Sequence, residues 1–165
     1  MAFSGLMILV FSHTGCKVSY SFTGASISPN IKTVSIPYFP NNAPLVVPTL
    51  SRTITESLRD YFTSQTDLIL VDRNSDLLLE GIITGYAVQP VAIQGDETAA
   101  LNRLTITVSV TFTNRLEEKQ NFESSFSRYL DYDRSLDLTL IQDGLVQGIT
   151  DQLIQDIFNK AVVNW

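Results

Sequence analysis

The sequence predicts an α+β fold in which a mixed, mostly antiparallel sheet carries two helices packed on one face. Residues 104–113 alternate without error between apolar and hydroxyl side chains, which is the pattern of a half-buried antiparallel strand. Residues 49–65 and 135–165 instead repeat their apolar side chains at helical spacing. The length of 165 residues suits one domain with a single core. The order strand, helix, strand meander, helix therefore predicts a two-layer sandwich.

The first strand and the first helix are predicted on either side of a proline-rich connection. Residues 32–39 (KTVSIPYF) predict the strand, and because Pro37 has no N–H to donate, we expect an edge strand or a bend there. The residues predicted on one face of this strand are Val34, Ile36 and Tyr38. Residues 49–65 predict the helix, with Thr49 as its N-cap. Its apolar stripe is predicted to consist of Leu50, Ile54, Leu58, Tyr61 and Phe62.

Two further strands are predicted before the alternating one. Residues 68–71 predict a short strand, and residues 77–91 (LLLEGIITGYAVQPV) predict a long one with apolar side chains on both faces. We therefore expect the long strand to be central and covered on both sides for part of its length. Gly81 and Gly85 indicate a bend or the close packing of another backbone. Residues 94–100 (QGDETAA) predict a polar hairpin loop.

The C-terminal third continues the meander and ends in the second helix. Residues 114–121 (NRLEEKQN) predict a charged turn, and residues 122–132 predict the strand that pairs with 104–113. Residues 135–165 contain two adjacent rows of apolar side chains at a spacing of four, which is typical of a helix lying flat on a sheet.

The counts of reactive residues exclude most catalytic chemistry. His13 is the only histidine and Cys16 the only cysteine, so residues 17–165 can form no thiolate or imidazole zinc site and no His-assisted nucleophile. We therefore expect no enzyme and no cofactor, with a carboxylate-dependent enzyme as the remaining catalytic alternative. The net charge is −6 and the basic residues are scattered singly, which argues against a nucleic-acid partner.

One group of carboxylates allows two interpretations. Asp131, Asp133 and Asp137 crowd one turn (DYDRSLD) and could form a cation-binding loop. Their spacing is not that of an EF-hand, and no glutamate closes the loop. We therefore favour a solvated turn that includes the N-cap of the last helix.

The N-terminal segment resembles the signal of a bacterial lipoprotein. Residues 1–11 (MAFSGLMILVF) are too short to span a bilayer and match the apolar region of a secretory signal. Gly15 and Cys16 follow at the place of a lipobox. The resemblance implies that the signal is residues 1–15 and that Cys16 is the acylated first residue of the domain 16–165. It also favours the outer membrane as the location, since no acidic residue directly follows Cys16. The alternative is a buried N-terminal strand with a core cysteine.

Several segments in order resemble the lipopolysaccharide-assembly lipoprotein family LptE, in its Bacteroidetes form. They are residues 20–44 (YSFTGASISPNIKTVSIPYFPNNAP), SRTITESLRDYF, LNRLTITVSVTFTN, FSRYLDYD and IFNKAVVNW. The resemblance implies a two-helix, mixed-sheet, non-catalytic protein on the periplasmic side of the outer membrane. It also implies that the protein plugs an LptD-like β-barrel, helps it assemble and aids passage of lipopolysaccharide. Of the family's functional residues only Cys16 can be placed; the arginines available for lipopolysaccharide are Arg103, Arg115, Arg128 and Arg134.

The hydroxyl side of residues 104–113 is the candidate partner face. It consists of Thr105, Thr107, Ser109, Thr111 and Thr113. A strand face open to water usually carries charged side chains, so the lack of charge here favours contact with another protein. We expect this face and the nearby residues 114–121 to contact the barrel. The alternative is a plain threonine-rich strand favoured by β-propensity. A lysine at Thr107 or Thr111 is predicted to weaken the complex.

A second family offers a rival interpretation. The segments KTVSIPYF and LILVDRNSDLLLEGIITGY also resemble the periplasmic α/β domain of curli-type secretion lipoproteins. Those proteins form pores, and no stretch of alternating residues flanked by aromatic girdles is present to span a membrane as strands.

Overall fold

A computed structural model describes residues 27–45, 47–91 and 100–163. The predicted signal peptide, Cys16, the tip of the hairpin loop at 92–99 and the last residue of the helical row, Trp165, lie outside the described residues. The main elements, in chain order, are β1 (Thr33–Ser35), α1 (Leu50–Gln65), β2 (Ile69–Leu70), β3 (Leu77–Pro90), β4 (Leu101–Asn114), β5 (Phe122–Asp133) and α2 (Leu138–Phe158). A 3₁₀ turn covers Glu118–Gln120, and a π turn, Asn159–Val163, continues α2.

The strands form one five-stranded mixed sheet in the order β2-β1-β3-β4-β5. β1 pairs in parallel with both β2 and β3, because α1 carries the chain back before β2 begins. β3, β4 and β5 form an antiparallel meander. The predicted fold class is confirmed.

β1 is an internal strand, so of the two alternatives predicted from Pro37, an edge strand or a bend, the edge position is wrong. The strand ends at Ser35, and the chain has left the ladder before it reaches Pro37. Ile36 is buried as predicted, but Tyr38 is 58% exposed on the other side of the sheet, because strand alternation no longer applies beyond Ser35. Asp76 holds the start of β1 beside β3: its carboxylate accepts hydrogen bonds from the N–H groups of Lys32 and Thr33 and from the Thr33 hydroxyl.

α1 begins and ends where the sequence predicts. Its stripe is buried, except that Tyr61 is only half-buried. Thr49 occupies the N-cap position, but its backbone is already helical and its side chain makes no capping hydrogen bond. The helix is pinned to the segment after β1, since Thr55 Oγ1 accepts a hydrogen bond from Phe39 N (3.1 Å) and the Arg59 guanidinium donates two to Ile36 O (2.9 and 2.7 Å).

β3 is central, as predicted, but it is buried on one face only. Leu79 and Ile83 are fully buried towards the helices, whereas Ile82 on the other face is 40% exposed, because no layer covers that face among the described residues. The predicted irregularity is found at Gly85, whereas Gly81 pairs regularly and is approached by a side chain rather than by another backbone. Gly81 lies against the buried ring of Phe39, where a Cβ atom would come within 2.2 Å of Cε1, and Gly85 follows an irregularity in the pairing with β4.

Both helices lie on the same face of the sheet. The side chains of Val108 and Val110 are fully buried beneath them. The helices meet through the ring of Phe158 in α2, which makes edge-on contacts with Tyr61 and Phe62 of α1 at centroid distances of 5.0 and 5.1 Å. No helix within the described ranges is long and apolar enough to cross a membrane.

Candidate partner-binding face

The outer face of β4 lies on the side of the sheet that the helices leave uncovered. Its apolar neighbours Leu104, Ile106, Val108, Val110 and Phe112 are all fully buried. The intervening Thr105, Thr107, Ser109, Thr111 and Thr113, here called the hydroxyl face, therefore point away from both helices; Thr111 is exposed and the other four are half-buried. The predicted orientation of the strand is confirmed.

The neighbouring strands extend this uncharged surface in the middle of the sheet. Gly85 of β3 and Ser127 of β5 stand opposite Thr107 on its two sides. The hydroxyls of Thr107 and Ser127 lie 3.0 Å apart and share a hydrogen bond. Ser109 is flanked by Ile82 and Ser125. Three strands therefore contribute to one patch that is free of charge.

Charged side chains bound the patch at both ends. At one end the Arg103 guanidinium donates to both carboxylate oxygens of Asp131 (2.7 and 2.9 Å) and stacks 3.6 Å from the ring centroid of Tyr129. At the other end Thr111 stands between Glu80 of β3 and Glu123 of β5. The charge-free character inferred from the sequence thus holds for β4 and for the middle of the sheet, but not for the surroundings of Thr111.

A groove runs across this acidic end. It has a volume of about 330 Å³ and is lined by Tyr38, Ile82, Thr111 and the two glutamates, with prolines at its rim. The exposed ring of Tyr38 and the exposed side chain of Ile82 give it an apolar wall. Sequence reasoning missed this groove, because it depends on where the chain runs after β1.

The turn between β4 and β5 is organised by one buried side chain. Asn114 is fully buried, and its backbone N–H donates to Asn121 Oδ1 (2.7 Å). Its Oδ1 accepts from the N–H groups of Leu116 and Glu117, both at 3.0 Å, and its Nδ2 donates to Gln120. These bonds fix the predicted charged turn at 114–121 relative to the hydroxyl face.

The three crowded aspartates have separate partners. Asp131 pairs with Arg103, Asp133 accepts from Ser135, and Asp137 accepts from Thr139 N at the start of α2. These hydrogen bonds hold the pKa of each carboxyl below its usual range. The N-cap interpretation is confirmed, and no group of three candidate metal ligands exists in the described part of the chain.

Two of the four available arginines are already engaged. Arg103 pairs with Asp131, and the Arg128 guanidinium donates to both carboxylate oxygens of Asp156 in α2. These intramolecular pairs leave the other two, Arg115 and Arg134, without a side-chain ion pair in the described residues.

Solved structures with this fold include bacterial lipoproteins. A minor lipoprotein from Acinetobacter baumannii is 17% identical, with a TM-score of 0.50 over 79% of this chain and 91% of that chain. The rare lipoprotein B from Shewanella oneidensis is 16% identical, with a TM-score of 0.44 over 76% of this chain and 93% of that one. No curated protein sequence matches the chain. The model of the lipopolysaccharide-assembly family LptE matches residues 31–161, and the chain therefore belongs to the LptE family.

Proposed function

We propose that this chain is an outer-membrane lipoprotein, acylated at Cys16, that plugs an LptD-like β-barrel from the periplasmic side. In this role it helps the barrel assemble and aids insertion of lipopolysaccharide at the cell surface. Membership of a lipopolysaccharide-assembly family supports the process. The observation that carries the plug role is the uncharged patch formed by the hydroxyl face of β4 and the adjoining residues of β3 and β5.

The chemistry of the face suits the wall of a barrel lumen. Lumen-facing residues of such barrels are polar. Hydroxyls both donate and accept hydrogen bonds, so they can pair with a mixed polar wall without placing an unpaired charge in a desolvated contact. The fully buried apolar side of β4 meanwhile holds the face rigid. A rigid, uncharged, hydrogen-bonding surface is therefore the expected contact region.

Direct binding of lipopolysaccharide is a weaker part of the proposal. An anionic lipid needs free cations, and the net charge of the chain is −6. Arg103 and Arg128 are already paired with aspartates. We therefore propose contact with the barrel as the main role of the chain and contact with lipopolysaccharide as a secondary one.

Thr107→Lys tests the plug role. Thr107 lies among uncharged neighbours, so a lysine there would have to be desolvated without a partner. We expect the variant to co-purify with the barrel about tenfold less well than the wild type, which corresponds to about 1.4 kcal/mol. Thr63→Lys, on the exposed surface of α1, is the matched control and should co-purify normally. If the Thr107 variant co-purifies fully and its melting temperature is unchanged, the hydroxyl face does not contact the barrel and is an ordinary exposed strand.

Cys16→Ala tests the anchor separately. The variant should accumulate unprocessed or away from the outer membrane, because several acyl chains are needed for stable attachment. Labelling with a radioactive fatty acid provides the measurement. Equal incorporation into variant and wild type would show that Cys16 is not the acylated residue.

A further inference from the structure

β5 forms one edge of the sheet along its whole length. It has 12 residues, contains no proline, and pairs with β4 in an unbroken register from Phe122 to Asp133. The opposite edge is β2, which has only two residues. Proteins usually protect a long edge with proline, a bulge, a covering segment or charged side chains. Among the described residues β5 has no proline, bulge or covering segment, and its charged Arg128 on the helix side is paired with Asp156 of α2.

The hydrogen-bond pattern between β4 and β5 shows which N–H and C=O groups of β5 do not bond to β4. Arg134 N donates to Ala100 O at 2.9 Å, so the even-numbered residues of β5 bond with β4. The N–H and C=O groups of the odd-numbered residues therefore point away from the sheet. These residues are Glu123, Ser125, Ser127, Tyr129, Asp131 and Asp133. Their backbone groups form a ready template for another strand.

The side chains of β5 indicate what kind of strand would fit. On the helix side Phe122, Phe126 and Leu130 pack against the core but are only half-buried, so apolar residues added beside them would extend the core. On the outer side Ser125 is small and exposed, and Glu123 is a carboxylate with no ion pair among the described residues. A matching strand alternates apolar with small polar residues and carries a lysine or arginine opposite Glu123.

We propose that the outer edge of β5 binds an extended segment of a partner protein with this pattern, as a sixth strand of the sheet. Main-chain hydrogen bonds would supply affinity, and the alternating side chains and the Glu123 pair would supply specificity. In the register centred on Ser127, a second copy of the chain would place Glu123 opposite Asp131 at two points, which disfavours that self-pairing. The edge binds through the outward backbone groups of β5, whose Ser125 and Ser127 side chains also border the hydroxyl face, and it does not require the partner to be the barrel.

The test uses the full-length lipoprotein in intact cells. A photo-reactive benzoylphenylalanine replaces Tyr129, an edge residue that is already aromatic and 49% exposed. The cross-linked peptide is identified by mass spectrometry, and the yield is compared in second-site variants. Ser125→Pro removes an outward N–H without removing a bond to β4, whereas Ser125→Ala removes only the hydroxyl. Glu123→Arg reverses the proposed charge pair, and Glu118→Arg, on the exposed turn, is its control.

We expect a cross-link to one alternating segment of a partner that carries a basic residue. Its yield should fall about fivefold or more with Ser125→Pro and with Glu123→Arg, and stay unchanged with the two controls. If Ser125→Pro shows no melting transition, it has failed to fold, and the comparison of Glu123→Arg with its control Glu118→Arg tests the proposal alone. The proposal is overturned if the cross-link joins residues 17–26 of the same chain, a second copy of the chain or a helical segment. It is also overturned if no cross-link forms, or if Ser125→Pro and Glu123→Arg do not change the yield.

Discussion

Gly81→Ala should destabilise the protein through a single contact. The added Cβ would lie 2.2 Å from Cε1 and 2.8 Å from Cδ1 of the Phe39 ring. Carbon atoms in van der Waals contact are about 3.5–4.0 Å apart, so ring or strand must move by more than about 1 Å. Phe39 is fully buried, so its ring has no free direction in which to move. The strain therefore falls on the core between β3 and α1.

The magnitude follows from two opposing effects. Overpacking a close-packed core costs about 1–3 kcal/mol, and a clash of this size belongs at the upper end. Replacing glycine in a strand interior returns about 0.5–1 kcal/mol. We therefore expect a net loss of about 2 kcal/mol, or about 4–8 °C in Tm for a domain of this size. Gly144→Ala is the matched control, because a Cβ there meets nothing within 4 Å and alanine favours helix by about 1 kcal/mol.

A double-mutant cycle in urea measures whether the contact is responsible. Phe39→Ala alone should cost about 3–5 kcal/mol, since it empties a fully buried site. In that background Gly81→Ala should be neutral or slightly stabilising, because the ring that opposed it is gone. The reasoning is refuted if Gly81→Ala is as stable as wild type, or if its cost is the same with and without the Phe39 ring.

Two further predictions concern buried and charged groups. Thr150 is fully buried and its hydroxyl has no hydrogen-bond partner in the described residues, so Thr150→Val should raise the unfolding free energy by about 1 kcal/mol in a denaturant titration. Hydrogen bonds from Lys32 N–H and Thr33 hold the pKa of Asp76 below its ordinary value of 3.8. Because the folded pKa is the lower one, the ionised carboxylate stabilises the fold fully at pH values above the unfolded pKa of 3.8. This contribution is lost as the pH falls from there through the folded pKa. Wild type should therefore lose stability more steeply than Asp76→Asn below about pH 4, measured as denaturant midpoints from pH 6 to 3; parallel curves would contradict this.

The elements that could be predicted are those whose signal is local. β4 alternates along ten residues, and each apolar residue of that pattern is fully buried. α1 begins after Pro48 and its apolar stripe faces the core. Gly85 marked the one irregularity in the pairing of β3 with β4, because a strand interior otherwise disfavours glycine.

The features that could not be predicted depend on which strands become neighbours. Pro37 indicated either an edge strand or a bend, and only the structure shows that β1 ends two residues earlier and lies between two strands. Apolar residues on both sides of β3 indicated two covering layers, whereas both helices lie on one face and leave Ile82 exposed. The central role of Asn114 depends on the local conformation of the turn, which the charged residues of 114–121 do not reveal.

The candidate face shows how register changes a conclusion drawn from one strand. Thr107 and Thr111 are equivalent in the sequence, but only Thr111 stands between Glu80 and Glu123. Opposite charges directly across a sheet contribute about 0.2–1 kcal/mol per pair. Thr111→Lys should therefore stabilise the isolated protein by about 0.5–1.5 kcal/mol at low salt, and most of this gain should disappear in 1 M salt. Thr107→Lys loses the exposed hydrogen bond to Ser127 and gains no charge pair, so it should change stability by no more than about 0.5 kcal/mol, and equally under both conditions. Because the chain itself neutralises a lysine at Thr111, that variant should disturb barrel contact less than the lysine at Thr107. Equal stabilities of the two variants at low salt would show that the glutamates do not act on position 111, and would remove the reason to separate the two sites.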